Sequence, residues 1–99
     1  MLVGVGDEQS FRFEIEGCFT VTGRGTLVVG QVTSGDVRVG DAVDVIHEGR
    51  AVRVTCRSVE MGHGIGPDGS RYPKVGLLLA GLRKFDASPG DFAATPGTW

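Results

Sequence analysis

Residues 11–32 read FRFEIEGCFTVTGRGTLVVGQV, and the fold turns on its second half, GRGTLVVG at positions 23–30. A glycine-rich stretch of this kind is either a loop that cradles phosphate or a turn that leads into a buried strand. A phosphate loop needs Lys and Ser/Thr directly after its last glycine, to hold charge and magnesium. Gly25 and Gly30 have the right separation, but Gln31 and Val32 stand in those two places. A dinucleotide fingerprint fails as well, because Gly23-Arg24-Gly25 is followed by Val28 where the third glycine belongs. The same fault recurs near the start, where Gly4-x-Gly6 is followed by Gln9. Leu27, Val28 and Val29 favour extended backbone. The stretch is a hairpin turn followed by a strand.

The residues on either side agree. Phe11, Phe13 and Ile15 alternate with Arg12, Glu14 and Glu16, the period-two pattern of a half-buried strand. Downstream, TLVVGQVTSG, VRVGDAVDVIH and AVRVTCRSVEM are β-branched or alternating runs, separated by turns at Ser34-Gly35-Asp36, Gly40-Asp41 and Glu48-Gly49-Arg50. GHGIGPDGSRYP, residues 62–73, reads as one long loop, being dense in glycine and proline. KVGLLLAGL then reads as an apolar strand, and FAAT as a last short one after the Pro89-Gly90 turn. No stretch carries a helical apolar period. Six to eight short strands with closely spaced turns predict an all-β barrel, since closure removes exposed edges.

Composition narrows the function classes. Ninety-nine residues make one domain, and a formal net charge of −2 gives no overall grip on nucleic acid, so DNA binding is not expected. Cys18 and Cys56 read as reduced core thiols, and neither forms a metal-ligating set with His47 or His63. No apolar run reaches bilayer-spanning length, and Met1-Leu2-Val3 has no basic flank of a signal peptide. The expectation is a cytoplasmic protein with no membrane contact, in which Met1 is a natural start. No catalytic triad, carboxylate pair, metal motif or cofactor motif stands out.

Beyond these local rules, the pattern IE-x-x-F-x-x-x-GRGT-x-x-x-G-x-V over residues 15–32, with SVEM at 58–61, VGLLLAGL at 75–82 and PGT at 96–98, resembles the second domain of elongation factor Tu and related translational GTPases. The likeness runs from Phe11 to Thr98 and implies a closed six-stranded antiparallel, Greek-key-like β-barrel of the translation-protein type over residues 11–99, behind an N-terminal arm, 1–10. In that family a GTPase domain precedes the barrel and a third domain follows it. This chain carries neither, so no GTPase activity is expected of it. The family barrel holds the aminoacyl end of tRNA, and Glu16 and Phe19 match positions that line that pocket. At neighbouring positions the family's Asp, Thr and Asn are here Gly17, Val29 and Lys74, and His63 stands where the family has Arg. The pocket has lost the groups that read an amino acid's polar atoms.

The candidate binding residues are therefore Glu16, Phe19, Arg24, His63, Arg71, Tyr72 and Lys74. Each also has a structural reading. Phe19 fits a core position, Glu16 a partner for a turn amide, and Arg24 a turn residue bonding local carbonyls. His63 with Asp68 has the elements of an acid-base pair but needs mutual geometry. Arg71, Tyr72 and Lys74 form either a basic-aromatic cluster for single-stranded RNA or an ordinary strand edge. Trp99 either caps a barrel end or exposes an aromatic. The expected function is a non-catalytic binding module for RNA or tRNA, the ribosome or a translation factor. The alternatives are a self-associating assembly domain and small-ligand binding in the altered pocket.

Overall fold

In the computed structural model, which describes residues 10–99, the period-two runs become six antiparallel strands. They are Arg12–Val21 (β1), Gly25–Ser34 (β2), Ala42–His47 (β3), Arg50–Ile65 (β4), Arg71–Ala80 (β5) and Phe92–Ala94 (β6). Their neighbours run in the order β1-β2-β5-β4-β3-β6, and β6 pairs back onto β1, so the sheet closes into a ring. The expected arm, residues 1–10, lies outside the described residues except for Ser10.

Closure gives every strand an inside, and the core fills it. Phe13, Val28, Val45, Cys56, Leu77, Leu79 and Ala93 are fully enclosed. Each comes from an inward position of its strand, as the alternation requires. Cys56 is a buried free thiol, while Cys18 is only half-buried against the same core. Burial pushes both thiols up from the ordinary cysteine range, so they stay protonated at neutral pH.

Three strands carry bulges: on β2 Thr33 is the extra residue between the pairs Arg12↔Ser34 and Phe13↔Val32, and β1 and β4 carry the other two. β1 slips against β2 between Ile15 and Gly17, and β4 slips against β5 between Cys56 and Ser58. Each slip reverses which residues face inward. In β1 the phase runs Phe11, Phe13, Ile15 and then jumps to Cys18, which pairs with the inward Val28. Phe19 thereby moves outside, where it is 57% exposed, and the expectation of a core phenylalanine fails for that reason. Gly30 is what lets β1 approach β2 at the slip. A Cβ there would overlap the carbonyl of Glu14 and crowd the amide of Glu16.

The long loop expected over residues 62–73 is also corrected. β4 runs on to Ile65 and β5 begins at Arg71, with the pairs Gly62↔Lys74, His63↔Pro73, Gly64↔Tyr72 and Ile65↔Arg71. Only the turn between them is loop, held by Gly66 N–H to Ser70 O at 2.7 Å and by Asp68, which accepts from Ser70 N and Oγ at 3.0 and 2.6 Å. Gly64 is required there because the Tyr72 ring lies where its Cβ would be. Replacing Gly30 by Ala, which forces β1 away from β2, should cost about 1–3 kcal/mol, the range for overpacking. Urea denaturation with an unchanged slope would read that loss, whereas an unchanged midpoint would mean that the slip does not depend on Gly30.

Candidate functional site

Glu16 keeps the outward position that alternation with Ile15 gives it, and the bulge places Phe19 on that same face, formed by β1, β2, β5 and β4. Gln31 Nε2 donates to Glu16 Oε2 at 2.8 Å, and Lys74 Nζ stands 3.3 Å from Glu16 Oε1. The Gln31 amide, followed by Lys74 and the Tyr72 hydroxyl, holds the Glu16 carboxyl below its ordinary range against a partial desolvation. Glu16 therefore bonds side chains of β2 and β5, not a turn amide as expected. Its network fixes one rim of the face.

Next to that rim the sheet surface is low. Gly17 pairs with Val29, Val29 with Gly76, and Gly76 with Glu60, so small residues run across β1, β2 and β5 as far as Glu60 on β4. They leave an open depression of about 220 Å³ between Leu27, Val29, Glu60, Gly62 and Lys74. On the β1 side Phe19 pairs with Leu27, which lines this floor, and its ring edge lies 3.3 Å from where a Cβ of Gly17 would sit. Gly17 and Val29 leave an apolar floor flanked by an exposed aromatic and a carboxylate–ammonium pair.

The other candidates fall in different places. Tyr72 and Lys74 alternate with Arg71 along β5, so Arg71 points to the opposite face, opposite Ile65. His63 borders the depression from β4, but it alternates with Gly62 and Gly64 and so takes the face of Ile65 and Arg71. Asp68 is engaged by Ser70 inside its own turn, and the acid-base pairing with His63 does not form. Arg24 lies in the β1–β2 turn at the far end of the sheet, its amide donating to Val21 O at 2.9 Å. There it shares a wide surface groove with Arg83, away from Glu16 and Lys74.

Two polar clusters went unread in the sequence. Asp44 is buried, yet accepts from Arg53 Nε at 2.8 Å and Nη2 at 3.3 Å, from Trp99 Nε1 at 3.0 Å and from Gly97 N at 3.3 Å. These donors, Arg53 first, hold its carboxyl down to about 2. His47 Nδ1 meets Asp91 Oδ2 at 2.6 Å, and Asp91 also accepts from Ser88 N at 2.7 Å. Period-two patterning could not announce either cluster, because each joins residues more than forty positions apart. Among the described residues, no group of three or more His, Cys, Asp or Glu side chains is placed to hold a metal ion, and no helix is long and apolar enough to cross a membrane.

A comparison of the chain with protein-family models finds no match. The face must accordingly be read from its own chemistry.

The Asp44 cluster gives a pH test. A carboxyl whose folded pKa of about 2 lies below its unfolded value contributes stability above about pH 4 and loses it as pH falls towards 2. Asp44→Asn should cost about 2 kcal/mol at neutral pH, the scale of hydrogen bonds to a charged group, and should flatten the acid limb of the stability profile. Trp99 is the sole tryptophan, so its emission during urea titration at each pH reads this contact. An acid limb of equal depth in the variant would assign the loss to other carboxylates.

Proposed function

We propose that the chain is a non-catalytic binding module of the translation-factor β-barrel type, and that the face between Phe19 and Lys74 receives an unpaired end of RNA. The observation that supports this reading is the outward placement of Phe19. An aromatic ring that the core does not use, 57% exposed beside an apolar floor, is a platform for a nucleobase, whose π-face stacks without regard to sequence. Lys74 and the Tyr72 hydroxyl stand at the Glu16 rim of the same face, within reach of the backbone that would follow a stacked base. The partner class comes from the resemblance of residues 11–98 to the barrel that holds a tRNA end in translational GTPases.

Small-ligand binding at the same face is the weaker reading. The depression of about 220 Å³ is open and falls below the ~300 Å³ at which enclosed ligand sites usually begin. The loss of the family's carboxylate, hydroxyl and amide also leaves little to orient a compact polar ligand. Base stacking needs only one ring and one cation. Lys74 is already paired with Glu16, so the electrostatic share of binding is small and affinity depends chiefly on Phe19.

Fluorescence anisotropy with a short labelled single-stranded RNA tests this directly. Phe19→Ala should weaken binding about ten- to a hundredfold, matching 1–3 kcal/mol for one stacked base. Lys74→Ala should lower the slope of log affinity against log salt by about 0.7, the value for one phosphate on a single strand. Arg71→Ala, on the opposite face, serves as the control and should change little. No binding at low salt, or binding that ignores Phe19→Ala, would sink the proposal.

A further inference from the structure

β4 is much longer than β3, and this leaves an edge. β3 pairs with β4 only from Arg50 to Thr55, and the last contacts on that side are Cys56 N to Asp41 O and Gly40 N to Cys56 O, each 2.8 Å. Beyond them β4 continues to Ile65, paired on its other side with β5 alone among the described residues. Gly66 N reaches across to Ser70 O, so in this arm the even-numbered residues direct their amides and carbonyls towards β5. Val59, Met61, His63 and Ile65 direct theirs to the open side. A run of unpaired backbone groups on an extended strand is a template for another strand.

The side chains on this run say which strand fits. Met61 and Ile65 are 76% and 73% exposed, and they stand two positions either side of His63. We propose that the β4 edge from Val59 to Ile65 is a self-association surface, on which a second copy of this chain adds antiparallel about a two-fold axis through His63. In that register Met61 of each copy lies beside Ile65 of the other, so both exposed apolar side chains are covered at once. The outward-facing row is equally self-matched. Gly62 meets Gly64 of the second copy, and Glu60 meets its Gly66, so no carboxylate faces another.

Charge agrees at the ends of the contact. The turn that carries Asp68 comes level with Arg57 of the second copy, and the reverse holds by symmetry. Arg57 is exposed and, among the described residues, pairs with no carboxylate. A partner protein's strand would satisfy the backbone as well, but the match of Met61 to Ile65 and of Asp68 to Arg57 is a property of two identical copies. The usual protections of an edge, such as an inward-pointing lysine or a proline, are missing from β4 between Ser58 and Ile65. A contact limited to two strand edges is smaller than the ~1,200 Å² at which stable interfaces begin, so the association is reversible and concentration-dependent.

Sedimentation velocity of the full chain over a wide concentration range tests the proposal, with a monomer–dimer equilibrium as the expected result. Met61→Lys should raise the dissociation constant about tenfold or more, by placing a charge on the edge, while the thermal melt stays unchanged. His63→Cys should form a disulfide-linked dimer under mild oxidation, because residues on the two-fold axis bring their Cα atoms within bridging range. Met61→Cys lies off the axis and should not, and the unmodified chain controls for Cys18 and Cys56. A full chain that stays monomeric throughout overturns the proposal. So does a dimer that survives Met61→Lys, or one that cross-links through position 61 in preference to 63.

Discussion

The ring stands on its shortest strand. β6 has three residues, and both its edges are used: Arg12, Phe13 and Glu14 pair on one side, and Asp44, Val45 and Ile46 on the other. Without it β1 and β3 would each expose a free edge next to the core, and the sheet would be open where Phe13 and Val45 are packed. The surrounding contacts protect that closure. Arg12 lies 3.8 Å over the Phe92 ring, and Ile15 and Asp91 extend the pairing beyond the strand through Ile15 N to Asp91 O and Gly90 N to Ile15 O, each 2.9 Å. Asp44, one of the residues opposite β6, also carries the buried carboxylate that Arg53 and Trp99 hold. Closure and the polar clasp are therefore one region of the structure, reached from both ends of the chain.

The bulge at Glu16 is the second constraint, and it connects the fold to the proposed binding face. One extra residue in β1 turns Cys18 inward and Phe19 outward, onto the face that Glu16 already occupies. The slip therefore puts an exposed ring on the face that holds the Glu16–Lys74 ion pair. A β1 without the slip would bury Phe19 in the place of Cys18 and leave the face flat. The glycines at 17, 30 and 76 allow this by letting strands approach and by keeping the floor low.

The sequence carried the strands well and the phase poorly. Alternation in Phe11–Ile15 and β-branching in Leu27–Val29 follow from burying one side of a strand, and that signal is local. It also sufficed to reject a phosphate loop at Gly23–Gly30. The position of Phe19 was illegible because a bulge reverses alternation without any change of residue type, and its hint, Gly30, lies on a different strand. The arm from Gly62 to Pro73 was misread for the opposite reason. Its glycines and prolines are turn signals taken one residue at a time, and the hairpin pairing of β4 with β5 overrode all but those between Ile65 and Arg71. Of the candidate residues, Glu16, Tyr72 and Lys74 converge and Phe19 stands on the same face, while Arg24, His63 and Arg71 do not join. Spacing along one chain says nothing about which of two faces a residue takes once strands have slipped.

The joint between Phe11 and Thr95 decides how the molecule answers to mechanical load. Phe11 N donates to Thr95 Oγ1 at 2.9 Å, and Thr95 N donates to Phe11 O at 3.1 Å, at the entry of β1 and the exit of β6. The two strands are antiparallel neighbours, and their outer ends lie side by side. A force pulling these ends apart meets the β1–β6 bonds one after another, as in a zipper, and never all together, as strands loaded lengthwise in shear would present them. The seam that completes the ring is thus its mechanically softest line. Tension transmitted through flanking chain would open the ring there first, parting β1 from β6 while the larger β1–β2 and β4–β5 pairings were still whole.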